Sequence, residues 1–174
     1  VLGAAAEAPG GLSPAETYEA YRQGLRPEKL AAALQAFLEA EAESGRLSGE
    51  YLQAVRQRKI ENFLRSPLAW RMWLAQRRGS LYREQPFVLG IDARRLKSDF
   101  PETETVLIQG IIDVFFEEED GLVLLDYKTD AVSSMEELWN RYETQLDYYQ
   151  EAVQKLLGKP VKERILYSFH LERY

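Results

Sequence analysis

Two runs rich in β-branched and aromatic residues, 106–116 and 122–127, flank Glu117-Glu118-Glu119-Asp120-Gly121. Runs of this kind favour strands, and an Asp-Gly step between them is a strong hairpin signal. Pairing them across that turn puts Asp113 and Asp126 at nearly equal distances from it, at the end away from the turn. Same-face neighbours in an antiparallel pair have Cβ atoms about 5 Å apart, so the two acids are expected side by side. Carboxylates that close repel unless they share a proton or a cation. Hard oxygen ligands in a small cluster suit Mg²⁺ or Mn²⁺. Lys128 lies two residues after Asp126, so strand alternation points it to the same face. A metal there can activate a water and offset charge on a phosphodiester transition state, with the lysine orienting the water. A surface ion-pair cluster accounts equally well for the isolated Asp-Tyr-Lys triplet.

The next segment reads as a helix. Ser133 or Ser134, followed three residues later by Glu136 or Glu137, forms a capping box, and the pattern runs from about Met135 to Leu157 before Gly158 and Pro160 stop it. Leu138, Tyr142, Gln145, Tyr149, Ala152, Val153 and Leu156 share one stripe at three- and four-residue spacing. Gln145 is the polar member of that stripe and needs hydrogen-bond partners, with Tyr149 one turn further on the same face. The pair reads either as a satisfied core glutamine beside a half-buried tyrosine or as a helix wall holding the scissile phosphate or the lysine.

Taken together, Gly110-Ile111-Ile112-Asp113, Asp126-Tyr127-Lys128-Thr129-Asp130 and Gln145-Leu146-Asp147-Tyr148-Tyr149-Gln150-Glu151-Ala152 resemble the motifs of the RecB-type nucleases of the PD-(D/E)XK superfamily. Order, spacing and strand-strand-helix context all agree. The segments Tyr82-Arg83-Glu84-Gln85-Pro86-Phe87-Val88 and Arg65-Ser66-Pro67-Leu68 are most similar to the C-terminal nuclease domain of AddA-type helicase-nucleases, over roughly residues 48–174. The resemblance implies a restriction-endonuclease-like α+β core and an exonuclease that cuts single-stranded DNA in double-strand-break repair and recombination. It further implies Asp113, Asp126 and the backbone carbonyl of Tyr127 as ligands of Mg²⁺ or Mn²⁺, Lys128 as the catalytic lysine, and Gln145 and Tyr149 as the third motif. Glu84 matches a family glutamate on the first strand, as a metal ligand or as a support. The implied partners are DNA, a helicase motor in the same polypeptide and a second, AddB-like subunit. Competing readings are a stand-alone or CRISPR-associated RecB-like nuclease, and a non-catalytic DNA- or partner-binding domain of the same fold.

Two departures from the family pattern stand out. Relatives carry a metal-binding histidine on a helix upstream of the first strand, whereas the single histidine here is His170, which reads as a wall of the sheet on the last strand. The start at Val1 suggests a domain that begins just after such a helix. Some relatives hold an iron-sulfur cluster on cysteines, and a chain without cysteine has no thiolate for it, for zinc or for a disulfide. That composition fits a reducing cytoplasm.

A chain of 174 residues with 45% hydrophobic and 29% charged residues suits one globular domain. No transmembrane span or signal peptide is evident, and without a Gly-rich phosphate loop ATP hydrolysis is not expected. Residues 1–12 read as a flexible segment, 13–80 as a helical portion and 81–174 as the nuclease core. A helix is expected from the Ser13-Pro14-Ala15-Glu16 cap, another over 27–44, one from Ser48 through Leu64, and a short one opened by Ser66-Pro67. Residues 161–174 alternate as a final strand.

The net charge of −6 hides an asymmetry. Residues 56–97 hold eleven Lys/Arg against three acids, a local +8 (11 − 3), which leaves −14 for the rest. Arg77, Arg78, Arg83, Arg94 and Arg95 are candidates for phosphate contacts, with Trp70, Trp73 and Tyr82 as stacking platforms. The alternative is solvated arginines and tryptophans in the core.

Overall fold

The computed structural model describes residues 14–101 and 103–174. The flexible segment expected at 1–12 and the Ser13 cap lie outside the described residues. The chain divides into two compact units, one ending at Leu74 and the other starting at Ala75.

The first unit is helical, with α1 (Pro14–Gly24), α2 (Pro27–Glu43), α3 (Gly49–Ala54), α4 (Gln57–Leu64) and the start of α5 (Pro67–Arg77). Leu30, Leu34 and Leu38 give α2 a buried stripe at four-residue spacing. Tyr21 is buried and donates its hydroxyl to the Leu64 carbonyl at 2.6 Å. Ser48 caps α3 by accepting the Tyr51 N–H at 3.4 Å. The single helix expected from Ser48 to Leu64 is in fact two, because the backbone turns extended at Val55. Nothing in α3 is buried, so no packing holds it on the axis of α4, which buries Phe63 and Leu64. Ser66 caps α5, accepting the Ala69 N–H at 3.1 Å.

The second unit is a four-stranded sheet, β1 (Leu81–Asp92), β2 (Thr105–Glu118), β3 (Gly121–Lys128) and β4 (Val161–Ser168), in that spatial order. β1–β2 and β2–β3 are antiparallel, and β3–β4 is parallel. Parallel neighbours need a crossover, and α6 (Met135–Leu157) supplies it. This is the mixed sheet with one helix across it that the periodicities imply.

The β2–β3 hairpin closes at Glu118 opposite Gly121. Gly121 has φ 147°, and a Cβ there would lie 2.9 Å from the Pro160 carbonyl oxygen, so glycine is required for β4 to start beside the turn. Ser134 caps α6, accepting the Glu137 N–H at 3.1 Å, while the Glu137 carboxylate accepts the N–H and hydroxyl of Ser133 at 2.9 and 2.8 Å. The core-facing stripe differs from the expected one at two positions: Leu146 is fully buried, and Leu156 is 64% exposed. Leu156 lies in the last turn, past the end of the surface that α6 covers.

The last strand is shorter than the sequence suggests. It stops at Ser168, whose hydroxyl accepts the Leu171 N–H at 3.1 Å, and the chain folds back so that Arg173 bridges Ser168. His170 therefore sits exposed in a turn and is not a wall of the sheet. Local side-chain capping has overridden the alternating pattern. Among the described residues no helix is long and apolar enough to cross a membrane.

Candidate active site

The β2–β3 ladder runs out at Val114 opposite Leu125, and Asp113 and Asp126 are the next step along. There a side chain takes over from the backbone ladder, and Asp113 Oδ2 accepts the Tyr127 N–H at 2.9 Å. The bond ties the first acid to the strand that carries the second.

The same level of the sheet contains a backbone anomaly. Glu84 has φ 49°, a left-handed conformation that costs a non-glycine residue about 1 kcal/mol or more. β1 pairs Arg83 with Val114 and Gln85 with Ile112, which leaves Glu84 facing Asp113. Side-chain alternation slips here. Tyr82 and Phe87, five residues apart, pack on the same core cluster, as do Ile112 and Phe115, three apart. The kink thus lets Asp113 and the apolar residues on both sides of it serve one face of the sheet.

Asp126 is 2% exposed, and its Oδ2 lies 2.6 Å from Lys128 Nζ. The approach is close enough for an ion pair, yet its angle is not that of a hydrogen bond, and Oδ2 is a buried oxygen with no hydrogen-bond partner. The Lys128 ammonium donates instead to Gln145 Oε1 at 2.8 Å, and Gln145 Nε2 donates to the Tyr149 hydroxyl at 2.9 Å. Both ends of the Gln145 amide are therefore used, as a polar group inside an apolar stripe requires. Burial raises the Tyr149 hydroxyl pKa, and the charges of Asp126 and Asp113 raise it further. Tyr149 is braced edge-on by Phe87 at 5.4 Å between ring centroids. Phe87 in turn lies over Gly110, where a Cβ would come within 3.0 Å of its ring, which gives that motif glycine a packing role.

A divalent cation fits this donor set. The buried, hydrogen-bond-free Oδ2 of Asp126 and the adjacent Asp113 carboxylate offer hard oxygens that lack sufficient positive charge. Glu84 is not gathered with them: its side chain is exposed, and no group of three or more His, Cys, Asp or Glu side chains among the described residues is placed to hold a metal.

Burial is the largest influence on Asp126 and raises its carboxyl pKa, Lys128 opposes this, and Asp113 adds to the rise. A folded value above the unfolded one means that the fold binds this proton more tightly than the unfolded chain does. The associated stability is complete below the unfolded value of 3.8 and is lost as pH rises through the folded value. Urea denaturation of metal-free protein between about pH 3 and pH 8 should show that decline in wild type and not in Asp126→Asn, with Mg²⁺ reversing it. Identical pH profiles for the two proteins would show that Asp126 carries no such strain.

Residues 15–172 match the family model of the PD-(D/E)XK nuclease superfamily. The chain belongs to this superfamily. It is 39% identical over 173 residues to an ATP-dependent helicase/nuclease protein of Lachnoclostridium phytofermentans, an alignment covering 79% of this chain and 13% of that protein. It is 45% identical over 129 residues to the protein of the same name from Clostridium botulinum strain Loch Maree, covering 72% of this chain and 10% of that protein. The chain thus spans about a tenth of the length of the curated relatives it matches.

In this superfamily member the arginine-rich segment is less open than its charge suggests. Arg77, Arg78, Arg83, Arg94 and Arg95 are all exposed. Arg94 pairs with Asp92, and Arg95 pairs with Glu151 at 2.6 Å while lying over the Tyr148 ring. Arg83 donates to Gln76 Oε1 at 2.6 Å, and Arg78 to the Glu117 carbonyl at 3.4 Å. A phosphate at Arg94 or Arg95 has to displace a carboxylate. The tryptophans belong to packing: Trp73 is buried, and Trp70 stacks on it at 5.0 Å and lies 5.0 Å from the Tyr21 ring. Tyr82 stacks on Phe115 at 4.7 Å. These aromatics lie against hydrophobic neighbours and are not stacking platforms for bases.

Two site neighbours escape a reading of the nuclease motifs. Phe87 braces Tyr149 from a strand with no motif of its own, and Tyr142, on the α6 stripe, places its ring 3.8 Å from Lys128 Nζ. Only the three-residue spacing between Tyr142 and Gln145 signals the second of them in the sequence.

Proposed function

We propose that this domain hydrolyses phosphodiester bonds of DNA with the help of Mg²⁺ or Mn²⁺, as the nuclease part of an ATP-dependent helicase-nuclease. The buried, unsatisfied Oδ2 of Asp126 beside Asp113 carries the proposal, because it is an oxygen for which the protein itself provides no adequate partner. Asp113 and Asp126 would hold the cation together with the backbone carbonyl of Tyr127, and Glu84 would reach it only through a change of rotamer. When bound, the cation supplies a water of lowered pKa and offsets negative charge on the phosphate.

The remaining roles fall to side chains. Lys128 holds a positive charge at the edge of the two acids, where its ammonium can orient a water and stabilise the phosphate oxygens. Gln145 fixes the ammonium through Oε1 and is itself fixed by Tyr149. No thiol is available for covalent catalysis in a chain without cysteine, so the nucleophile is water.

The names of the relatives carry the rest of the proposal. A helicase motor in the same polypeptide would feed unwound single strands to this site, exonucleolytically, during double-strand-break processing in the cytoplasm. A second, AddB-like subunit would complete the assembly. The exposed Arg77, Arg78 and Arg83 are the better placed of the five arginines for phosphate contacts, since Arg94 and Arg95 already pair with acids.

Calorimetric titration with Mg²⁺ and Mn²⁺, paired with cleavage of a labelled single strand, tests the proposal on wild type and Asp113→Ala. Metal binding and cutting that both vanish in the variant support it. Failure of the wild type to bind either ion transfers the preference to a non-catalytic DNA- or partner-binding role for the same fold.

A further inference from the structure

The Tyr142 ring touches the lysine of the proposed site, and none of the nuclease motifs includes it. Lys128 Nζ lies 3.8 Å from the centroid of the Tyr142 ring, well inside the range in which the negative face of an aromatic ring attracts a cation. The ring is held at its far edge. Its hydroxyl donates to Asp130 Oδ1 at 2.9 Å, and that same oxygen accepts from Arg141 at 3.0 Å. On α6 the ring stands between Leu138 and Leu146, both fully buried, which anchor the helix to the sheet on either side of it. Tyr142 is thus fixed at its backbone and at its tip, with its face turned to the ammonium.

We infer that Tyr142 is a positioning residue for Lys128, its ring face holding the ammonium at the two aspartates when Asp126 is engaged with a cation. The inference rests on the reading of Lys128 as the catalytic lysine. An ammonium has three N–H directions, and Lys128 has three close neighbours: Asp126, Gln145 and the Tyr142 ring. Asp126 is the only charged one, and it is also the proposed metal ligand, so its hold on the lysine weakens as its charge is shared. Gln145 and Tyr142 do not enter that competition. A carboxylate in place of the ring would attract the lysine more strongly but would also attract the metal. A saturated side chain would fill the same space without attraction. An aromatic face holds a cation while offering no metal ligand.

Tyr142→Leu and Tyr142→Phe separate the ring from the hydroxyl. In wild type the Lys128 ε-methylene protons should be shifted upfield by the ring current in metal-free NMR spectra. That shift should persist in Tyr142→Phe and disappear in Tyr142→Leu. With saturating Mg²⁺, Tyr142→Leu should lose about tenfold in kcat while KM for DNA changes less than about twofold, and Tyr142→Phe should recover to within about threefold of wild type. If Tyr142→Leu does not fold, Tyr142→Met fills the space and takes its place. A leucine variant that loses the upfield shift yet keeps the wild-type kcat overturns the inference. So does a phenylalanine variant that falls as far as the leucine one, because the role then belongs to the hydroxyl. Lys128→Met separates the two roles: full cleavage by that variant removes the catalytic role of Lys128, and the positioning role with it. An inactive Lys128→Met beside a fully active Tyr142→Leu removes the positioning role alone.

Discussion

Asp126→Ala should abolish DNA cleavage, by about a thousandfold or more, while the domain keeps its fold. A metal-bound site contributes several kcal/mol to stabilising the charge of the transition state, and each 1.36 kcal/mol is worth tenfold in rate. Asp126 is the more deeply buried of the two acids and the one whose Oδ2 has no hydrogen-bond partner, so its loss takes away the best-prepared oxygen. The fold should tolerate the change. Alanine removes a carboxylate whose burial disfavours ionisation, and Lys128 keeps its bond to Gln145 and its contact with the Tyr142 ring. Circular dichroism and thermal melting of metal-free protein should be close to wild type, calorimetry should show Mg²⁺ binding lost, and the cleavage assay should read background. Residual activity within tenfold of wild type, in a folded variant, would sink the assignment of Asp126.

Lys128→Met should reduce cleavage by about 10²–10³-fold while leaving metal binding in place, the usual result of removing one preorganised charged donor. Methionine keeps the length and most of the apolar stem and deletes the charge. The ammonium is 12% exposed as a side chain and touches Asp126, Gln145 and the Tyr142 ring, so its position is set before any substrate arrives. Taking the charge away leaves the Asp126 and Asp113 carboxylates together without a counter-charge, and Mg²⁺ affinity should hold or rise as a result. The pattern to look for is therefore a split: metal titrations like wild type or tighter, and single-turnover cleavage slowed. Loss of metal binding together with activity would instead make Lys128 a structural member of the cluster.

The hairpin was legible because its determinants are local. An Asp-Gly step between two β-rich runs fixes the register, and register alone brings Asp113 level with Asp126. The α6 cap, its stop at Gly158 and the bond between Gln145 and Tyr149 are local in the same sense, set by three- and four-residue spacings. The superfamily could be recognised for the same reason, since its motifs are short and lie on adjacent elements. Alternation misled where a backbone departure interrupts it. The expected strand over 161–174 ends where the Ser168 hydroxyl captures the Leu171 N–H, and the expected helix from Ser48 to Leu64 breaks where nothing is buried to carry it through.

The sequence by itself determined the paired acids, the lysine beside them and the helix that supplies the third motif, because strand and helix periods place residues a few positions apart without reference to the rest of the chain. Tertiary structure alone decided what surrounds them. Glu84 adopts its left-handed conformation opposite Asp113 because sheet pairing on both sides holds it there, and no propensity of glutamate predicts that. Phe87 reaches Tyr149, and Tyr142 reaches Lys128, across distances in sequence that no period spans. The charge state of Asp126 was decided in the same way. Its raised pKa comes first from burial, and burial is a property of the assembled sheet and helix rather than of any residue in them.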